Sequence, residues 1–330
     1  MRTPLPFLGL LTGLLCLGCS QGGGEGSLGR LERLVFVPAG SSVIGAETRS
    51  PVDIGNREPL LVDTLEVTRS EWGSWLDGLP AEHGAWTSLD LWSGDLGPRG
   101  KRRIPLDGRP ATGMTLAEAQ AFAASEGMRL PTAREWLRVA TGPTGRQPFP
   151  WKPVPHASVA NTLELGLGRL APAGTFESGR TSAGIHDLHG NAAEWVERID
   201  LGPFPDSGDT RSWAMGGSYR SRQRPTFRYD GLADLDGDGA VDSGLDFHAL
   251  LLDPRTRSSE VGLRLFADAG PWLRQQAGSW GSSPAVLARL TQLGARWGPP
   301  AAPLLRELVE AEGGPGEAPA LAALLRGAEG

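Results

Sequence analysis

Three times along this chain a Thr-x-x-Glu pattern opens a short amphipathic run: Thr68-Arg69-Ser70-Glu71, Thr115-Leu116-Ala117-Glu118 and Thr132-Ala133-Arg134-Glu135. In such a box the Thr hydroxyl accepts a bond from the third helical amide while the Glu reaches back to the cap amide. Apolar residues follow at helical spacing: Trp72, Trp75 and Leu76; then Ala119, Phe122 and Ala123; then Trp136, Leu137, Val139 and Ala140. The body therefore contains several short helices, each with one face to bury. With 47 glycines and 27 prolines between and around them, long regular elements are excluded. The 11 tryptophans point to a loop-rich body held by aromatic packing.

Strand signals are short. Leu34-Val35-Phe36-Val37 ends in a Pro-Ala-Gly turn, with Val43-Ile44-Gly45 as its expected partner, and Leu60-Leu61-Val62 starts another strand. Gly216-Gly217-Ser218-Tyr219 and Val261 to Phe266 read as two more, and Arg146 to Ala183 as irregular. After Asp268 the composition turns Ala- and Leu-rich with helical spacing, Leu287, Leu290 and Leu293 sharing a face. A small helical appendage is expected over 269–330.

The N-terminus has the form of an export signal. Arg2 precedes an apolar stretch from Leu5 to Leu17, shorter than the roughly 20 residues a membrane span needs. Leu15-Cys16-Leu17-Gly18-Cys19-Ser20 resembles a bacterial lipobox, with Cys19 as the lipidated residue. The expected division is a signal peptide over 1–18, a Gly-rich tether over 19–30 and a domain over 31–268, with insertions near 78–108 and 230–256. An exported protein, anchored to the outer membrane or cell surface through Cys19, is the expected location. Cys16 and Cys19 are the only cysteines, so the folded body has no internal disulfide, zinc–thiolate site or catalytic thiol. A net charge of -6, with Lys101-Arg102-Arg103 as the one dense basic run, excludes a nucleic-acid surface.

Four segments, in order, resemble the formylglycine-generating enzyme (sulfatase-modifying factor) family. They are Leu65-Glu66-Val67-Thr68 with Trp72; Thr112 to Thr115 with Arg129-Leu130-Pro131-Thr132-Ala133-Arg134-Glu135-Trp136; Gly184 to Trp195, containing Gly190-Asn191-Ala192-Ala193-Glu194-Trp195; and Gly216 to Tyr219 closed by Val261-Gly262-Leu263-Arg264. The resemblance implies an α+β fold, a variant of the C-type-lectin-like fold. It also implies where chemistry would sit. Aerobic family members carry two copper-holding cysteines after Gly-Gly-Ser, and those positions here are Ser221 and Thr226. A neutral hydroxyl is a poor ligand for copper(I), which prefers soft sulfur. The family's first Trp in the Gly-Asn turn is replaced by Ala193. Formylglycine formation and bound copper are therefore not expected, and the chain reads as a pseudoenzyme.

Other metals need other residues. The five histidines are His83, His156, His186, His189 and His248. His186 and His189 stand three apart, but they precede the Gly-Asn turn and read as turn and core residues. No His-x-x-x-His-x-Glu is present, which argues against the iron chemistry of some relatives. The resemblance implies structural calcium at Asp187, Gly190, Ala192 and Glu194. Independently, Asp234-Leu235-Asp236-Gly237-Asp238-Gly239-Ala240-Val241-Asp242 places carboxylates at alternate positions with a Gly turn, a pattern that converges oxygens on calcium. Leu245 at the twelfth position makes it a static loop, not a helix-loop-helix switch.

The expected function is a calcium-stabilised binding scaffold for glycan or protein, with exposed loops such as those of Trp86 and Trp92 as contacts. The alternative is an enzyme of altered chemistry in the groove of Ser218, Arg220, Arg222, Arg228 and Tyr229. A third reading is a sulfatase-binding partner. No Ser-His-Asp set is legible.

Overall fold

The computed structural model describes residues 23–46, 51–79, 107–151, 156–199, 201, 211–230 and 244–330, with side chains for all of these except 23–26, 228–230 and 244–246. Cys19, Lys101 to Arg103, Trp86, Trp92 and the Asp234, Asp236, Asp238 and Asp242 loop lie outside the described residues.

The three Thr-x-x-Glu boxes open helices α2 (Arg69–Asp77), α3 (Leu116–Ser125) and α4 (Ala133–Ala140), and each makes both reciprocal bonds. Their apolar faces do the docking: Trp72, Phe122 and Trp136 are fully buried.

Strand pairing is non-local. β1 (Leu34–Val37) pairs antiparallel with β4 (Leu60–Asp63), not with the adjacent β2 (Val43–Ile44). β2 pairs instead with β3 (Val52–Asp53). β4 is the middle strand of a sheet ordered β1-β4-β11, the last being β11 (Phe266–Asp268), and all four of its residues are buried. A four-stranded sheet runs β10-β5-β6-β9: β10 (Val261–Gly262), β5 (Ala193–Trp195), β6 (Ser212–Met215) and β9 (Ala249–Leu252). β7 (Phe227–Asp230) and β8 (Gly244–Phe247) form a ribbon.

Four expectations are corrected. Gly216 to Tyr219 is a turn beyond the end of β6, because Gly216 and Gly217 take positive φ values of 86° and 69° that no strand uses. Val261 to Phe266 divides between β10 and β11, which belong to different sheets. Residues 244–252, expected in an insertion, pair with β7 and β6, with Phe247 opposite Phe227, Ala249 opposite Met215 and Leu250 opposite Ala214. The tether gives way to helix α1 (Gly23–Glu32), since Leu28 and Leu31 are buried and Arg30 ion-pairs with Asp63, Glu71 and Glu126 at 2.6, 2.9 and 3.1 Å.

Beyond β11 come α5 (Ala269–Ala277), α6 (Pro284–Trp297), α7 (Ala302–Ala311) and α8 (Pro319–Glu329). They share one hydrophobic core with α1, α2 and α3, in which Leu290, Leu305 and Leu321 join Trp72 and Phe122. Trp297 Nε1 donates to the Leu34 carbonyl at 3.0 Å, tying α6 to β1. A second core lies between α4, β3, β4, β6 and the β7–β8 ribbon. The turns that link these two cores carry the polar residues considered next.

Candidate functional site

The turn from Asp187 to Asn191 is held by its own side chains. Asp187 and Asn191 both adopt the left-handed region, at φ 56° and 57°, which non-glycine residues enter at a cost unless bonds hold them there. Asp187 Oδ2 accepts from the Gly174 amide at 2.6 Å. Asn191 donates to Glu66 Oε2 at 2.7 Å and accepts from the Ala171 amide and from Asn161 Nδ2 at 3.0 and 2.9 Å. Glu66 completes the frame by accepting from the Ala192 amide at 2.9 Å.

At the end of this turn Glu194 meets a wholly buried arginine. Arg264 Nη2 and Nε donate to Glu194 Oε1 at 2.6 and 3.0 Å, and Trp136 Nε1 donates to Oε2 at 2.8 Å. The same guanidinium caps the Asp63 and His186 carbonyls at 3.0 and 2.6 Å. Three buried carboxyls, Glu66, Asp187 and Glu194, thus face one cation. Burial and the neighbouring Asp187 and Glu194 hold Glu66 well above the ordinary carboxylate range. Burial likewise pushes Asp187 up to about 6, against the Gly174 bond and Arg264.

The residues that the resemblance implies as calcium ligands lie in and beside this turn. Gly190 and Ala192 are in the turn, but both Glu194 oxygens are taken by Arg264 and Trp136 in the core. In the described turn the cationic partner of Glu194 is Arg264, whereas calcium requires six to eight oxygens. Among the described residues no group of three or more His, Cys, Asp or Glu is placed to hold a metal ion.

The second part of the site is the loop 216–226. Ser218 is fully buried; its Oγ donates to Glu260 Oε2 at 2.6 Å and accepts from the Arg220 amide at 3.1 Å. That hydroxyl is engaged within the loop. Ser221 Oγ accepts from the Ser218 amide at 2.9 Å, and the Ser221 carbonyl accepts from the Leu163 amide at 2.9 Å. Thr226 is buried and its Oγ1 has no partner among the described residues. The two family cysteine positions thus hold one engaged hydroxyl and one isolated hydroxyl, which does not fit copper(I). Arg220 reaches Glu260 Oε1 at 3.5 Å, so the groove's guanidinium faces the chain's own carboxylate. Arg222 is exposed on the same loop. Arg228 lies in β7, with its side chain outside the described residues.

His186 and His189, neighbours in sequence, part company in the structure. His186 is half-buried, its Nε2 3.6 Å from Glu177, and burial lowers its pKa against that carboxylate. His189 turns inward and meets His248 from the β8–β9 connection, with ring centroids 4.7 Å apart. Sequence reasoning missed His248 as a site residue, and no local motif marks it; only in the fold does Gly217 lie so close that any Cβ there would overlap the His248 ring. Trp151 and Phe149 pack edge-on against His189, with centroids 5.2 and 5.9 Å away. Burial pushes His189 down to about 4, with Arg224 adding to and Glu164 opposing the effect. His248 goes down to about 2 through burial, His189 and Arg224. Both imidazoles are neutral at physiological pH.

Comparison with known proteins adds to this geometry. Residues 25–244 match the model of the FGE-sulfatase family, described as a sulfatase-modifying factor enzyme 1-like domain. The chain is 30% identical over 201 residues to hercynine oxygenase of Mycolicibacterium smegmatis, covering 52% of this chain and 46% of that protein. It is also 30% identical over 237 residues to hercynine oxygenase of Mycolicibacterium thermoresistibile, covering 62% and 52%. The chain thus spans about half the length of the curated relatives it matches. Similar solved structures include CarF (20% identity, TM-score 0.43, 71% of this chain and 97% of that one) and PvdO from Pseudomonas aeruginosa (20%, 0.45, 71% and 94%).

Proposed function

The chain belongs to the sulfatase-modifying factor enzyme 1-like (FGE-sulfatase) family, and from that premise we propose that it is a ligand-binding member that does not form formylglycine. The observation that carries this reading is the state of the family's oxidation locus. Ser221 is bonded into the loop, Thr226 is buried, and no cysteine follows Cys19 in the sequence, Cys16 being the only other one. Oxidising a substrate thiol through copper needs thiolate ligands, and a hydroxyl does not substitute. The surface left for recognition is the rim of that locus, where Leu163, Arg220 and Arg222 are exposed. Anchoring through Cys19 and calcium in the Asp234 to Asp242 loop belong to the same proposal, on their sequence patterns. So does a glycan or polypeptide as the ligand.

A second reading is favoured by one observation, the buried His189–His248 pair at the same locus. An enzyme of different chemistry would use it, and the relatives named hercynine oxygenase are oxygen-using enzymes in name. The test presents the immobilised chain with a glycan array and with cysteine-containing sulfatase peptides, then elutes and weighs what bound. A ligand retained and returned at unchanged mass supports the binding reading. A ligand returned at altered mass, or no retention of any ligand, overturns it.

A further inference from the structure

His189 and His248 form a buried imidazole pair whose nitrogens are unused. The two side chains are 2% and 4% exposed, yet His189 Nδ1, His189 Nε2 and His248 Nδ1 have no hydrogen-bond partner among the described residues. Thr226 Oγ1, opposite His248 across the start of the β7–β8 ribbon, is likewise without one. A buried polar atom left unpaired costs about 1–3 kcal/mol, and native interiors hold few of them. Four such atoms on three adjoining residues indicate a missing partner, not loose packing. The surroundings are otherwise tight: Trp151 and Phe149 close one side and Gly217 the other.

We propose that His189 and His248 bind one late first-row divalent cation, zinc or copper, with Thr226 Oγ1 bonding a water or ligand on its open side. Three properties of the pair point there. Neutral imidazole is a good ligand for zinc and copper, whereas calcium and magnesium need oxygen. Neither family thiolate is present to compete, since Ser221 and Thr226 stand at those positions. The separation also fits. With a metal–nitrogen bond of about 2.0–2.1 Å, an imidazole centroid lies about 3.2 Å from the ion, and centroids 4.7 Å apart subtend about 95°. If one nitrogen of each ring faces a common point, that angle is close to the cis angle of about 90° in square-planar copper(II) and narrower than the roughly 109° of tetrahedral zinc, with two positions left for water or substrate. The inference goes beyond the proposed function, because a binding protein needs no metal here.

The test uses the full chain, stripped with a chelator and titrated separately with zinc(II) and copper(II). One cation per chain is expected, with a rise of several degrees in Tm and, for copper, paramagnetic resonance showing nitrogen splitting from two imidazoles. His248→Phe and His189→Phe keep a ring in the packing while removing the ligand, and each is expected to lower affinity at least tenfold while the chain remains folded by circular dichroism. Because copper(II) outbinds zinc(II) at almost any nitrogen site, the metal content of the chain purified without added metal identifies the resident ion. The proposal is overturned if the folded wild-type chain binds less than about a tenth of an equivalent of both ions. It is equally overturned if copper binds without imidazole nitrogens, or if a folded His248→Phe chain binds as wild type. If neither phenylalanine variant folds, the wild-type nitrogen splitting alone decides.

Discussion

Replacing Arg264 by Met removes the one cation that faces three buried carboxyls. Arg264 is fully buried and Glu194 is 1% exposed. Methionine fills much of the volume but leaves Glu194 with only the Trp136 donor, and strands the Asp63 and His186 carbonyls. Removing one partner of a buried pair costs about 3–5 kcal/mol, because the remaining charge is uncompensated. Against a total stability of about 5–15 kcal/mol, that is a large fraction. At about 2–4 °C per kcal/mol for a chain somewhat smaller than this one, Tm should fall by roughly 6–20 °C in thermal unfolding at pH 8. The sign with pH follows from the same geometry. Without Arg264, Glu66 and Asp187 lose the charge that opposes their burial, so their folded-state pKa values, already raised, climb further above the unfolded ones. The penalty is then absent below the unfolded pKa and grows as pH rises above it. The deficit should therefore be smaller at pH 5 than at pH 8. Arg264→Met with Glu194→Gln, which removes the orphaned charge but keeps an acceptor for Trp136, should recover part of the loss. A Tm within about 3 °C of wild type at pH 8 for the single variant would refute the reasoning.

Two further predictions concern how the ends of the chain are held. Glu71 is kept below the ordinary carboxylate range: burial works against it, but Arg30 and Arg33 outweigh that, with Thr68 adding bonds. A depressed carboxylate stabilises above its unfolded pKa and loses that contribution as pH falls through the folded value. Glu71→Gln should thus lower Tm at pH 7, by a loss of about 1–2 kcal/mol, and the difference should shrink as pH falls through the lowered folded-state pKa; a difference independent of pH would contradict the ion-pair account. In α6 and α8, Cβ atoms at Gly294 and Gly327 would overlap the Leu324 and Thr291 carbonyls of the facing helix. Helix propensity alone makes Gly294→Ala stabilising by about 1 kcal/mol, whereas overpacking makes it destabilising by about 1–3 kcal/mol. Thermal unfolding should show a fall, and a rise would mean the two helices can separate freely.

Local signals carried most of what was legible. The capping boxes need only four residues each, and all three helices start where Thr68, Thr115 and Thr132 place them. The family motifs were equally local and led to the fold. Pairing was not legible, because β2's true partner depends on where the chain returns after the 47–50 stretch, and β1's on β4 and the packing of Trp297 beneath it. The turn motif exposed Glu194 as a site residue but not its commitment to Arg264, which arrives from β10 and its following loop far along the chain. His248 was invisible for the same reason. Nothing around it forms a motif, and only the fold brings it to His189. The glycine-rich start of α1 resembled a tether because its two anchoring leucines, Leu28 and Leu31, are sparse; the Arg30 network that docks it is long-range.

The central claim is that this family member lacks thiolate oxidation. It is tested most directly by incubating the copper-treated chain, under oxygen, with a cysteine-containing sulfatase peptide, and measuring formylglycine by mass spectrometry. The account predicts no aldehyde above the protein-free control, and none after Ser221→Cys with Thr226→Cys, because Ala193 also departs from the family's turn. Aldehyde formed by the unaltered chain would contradict it.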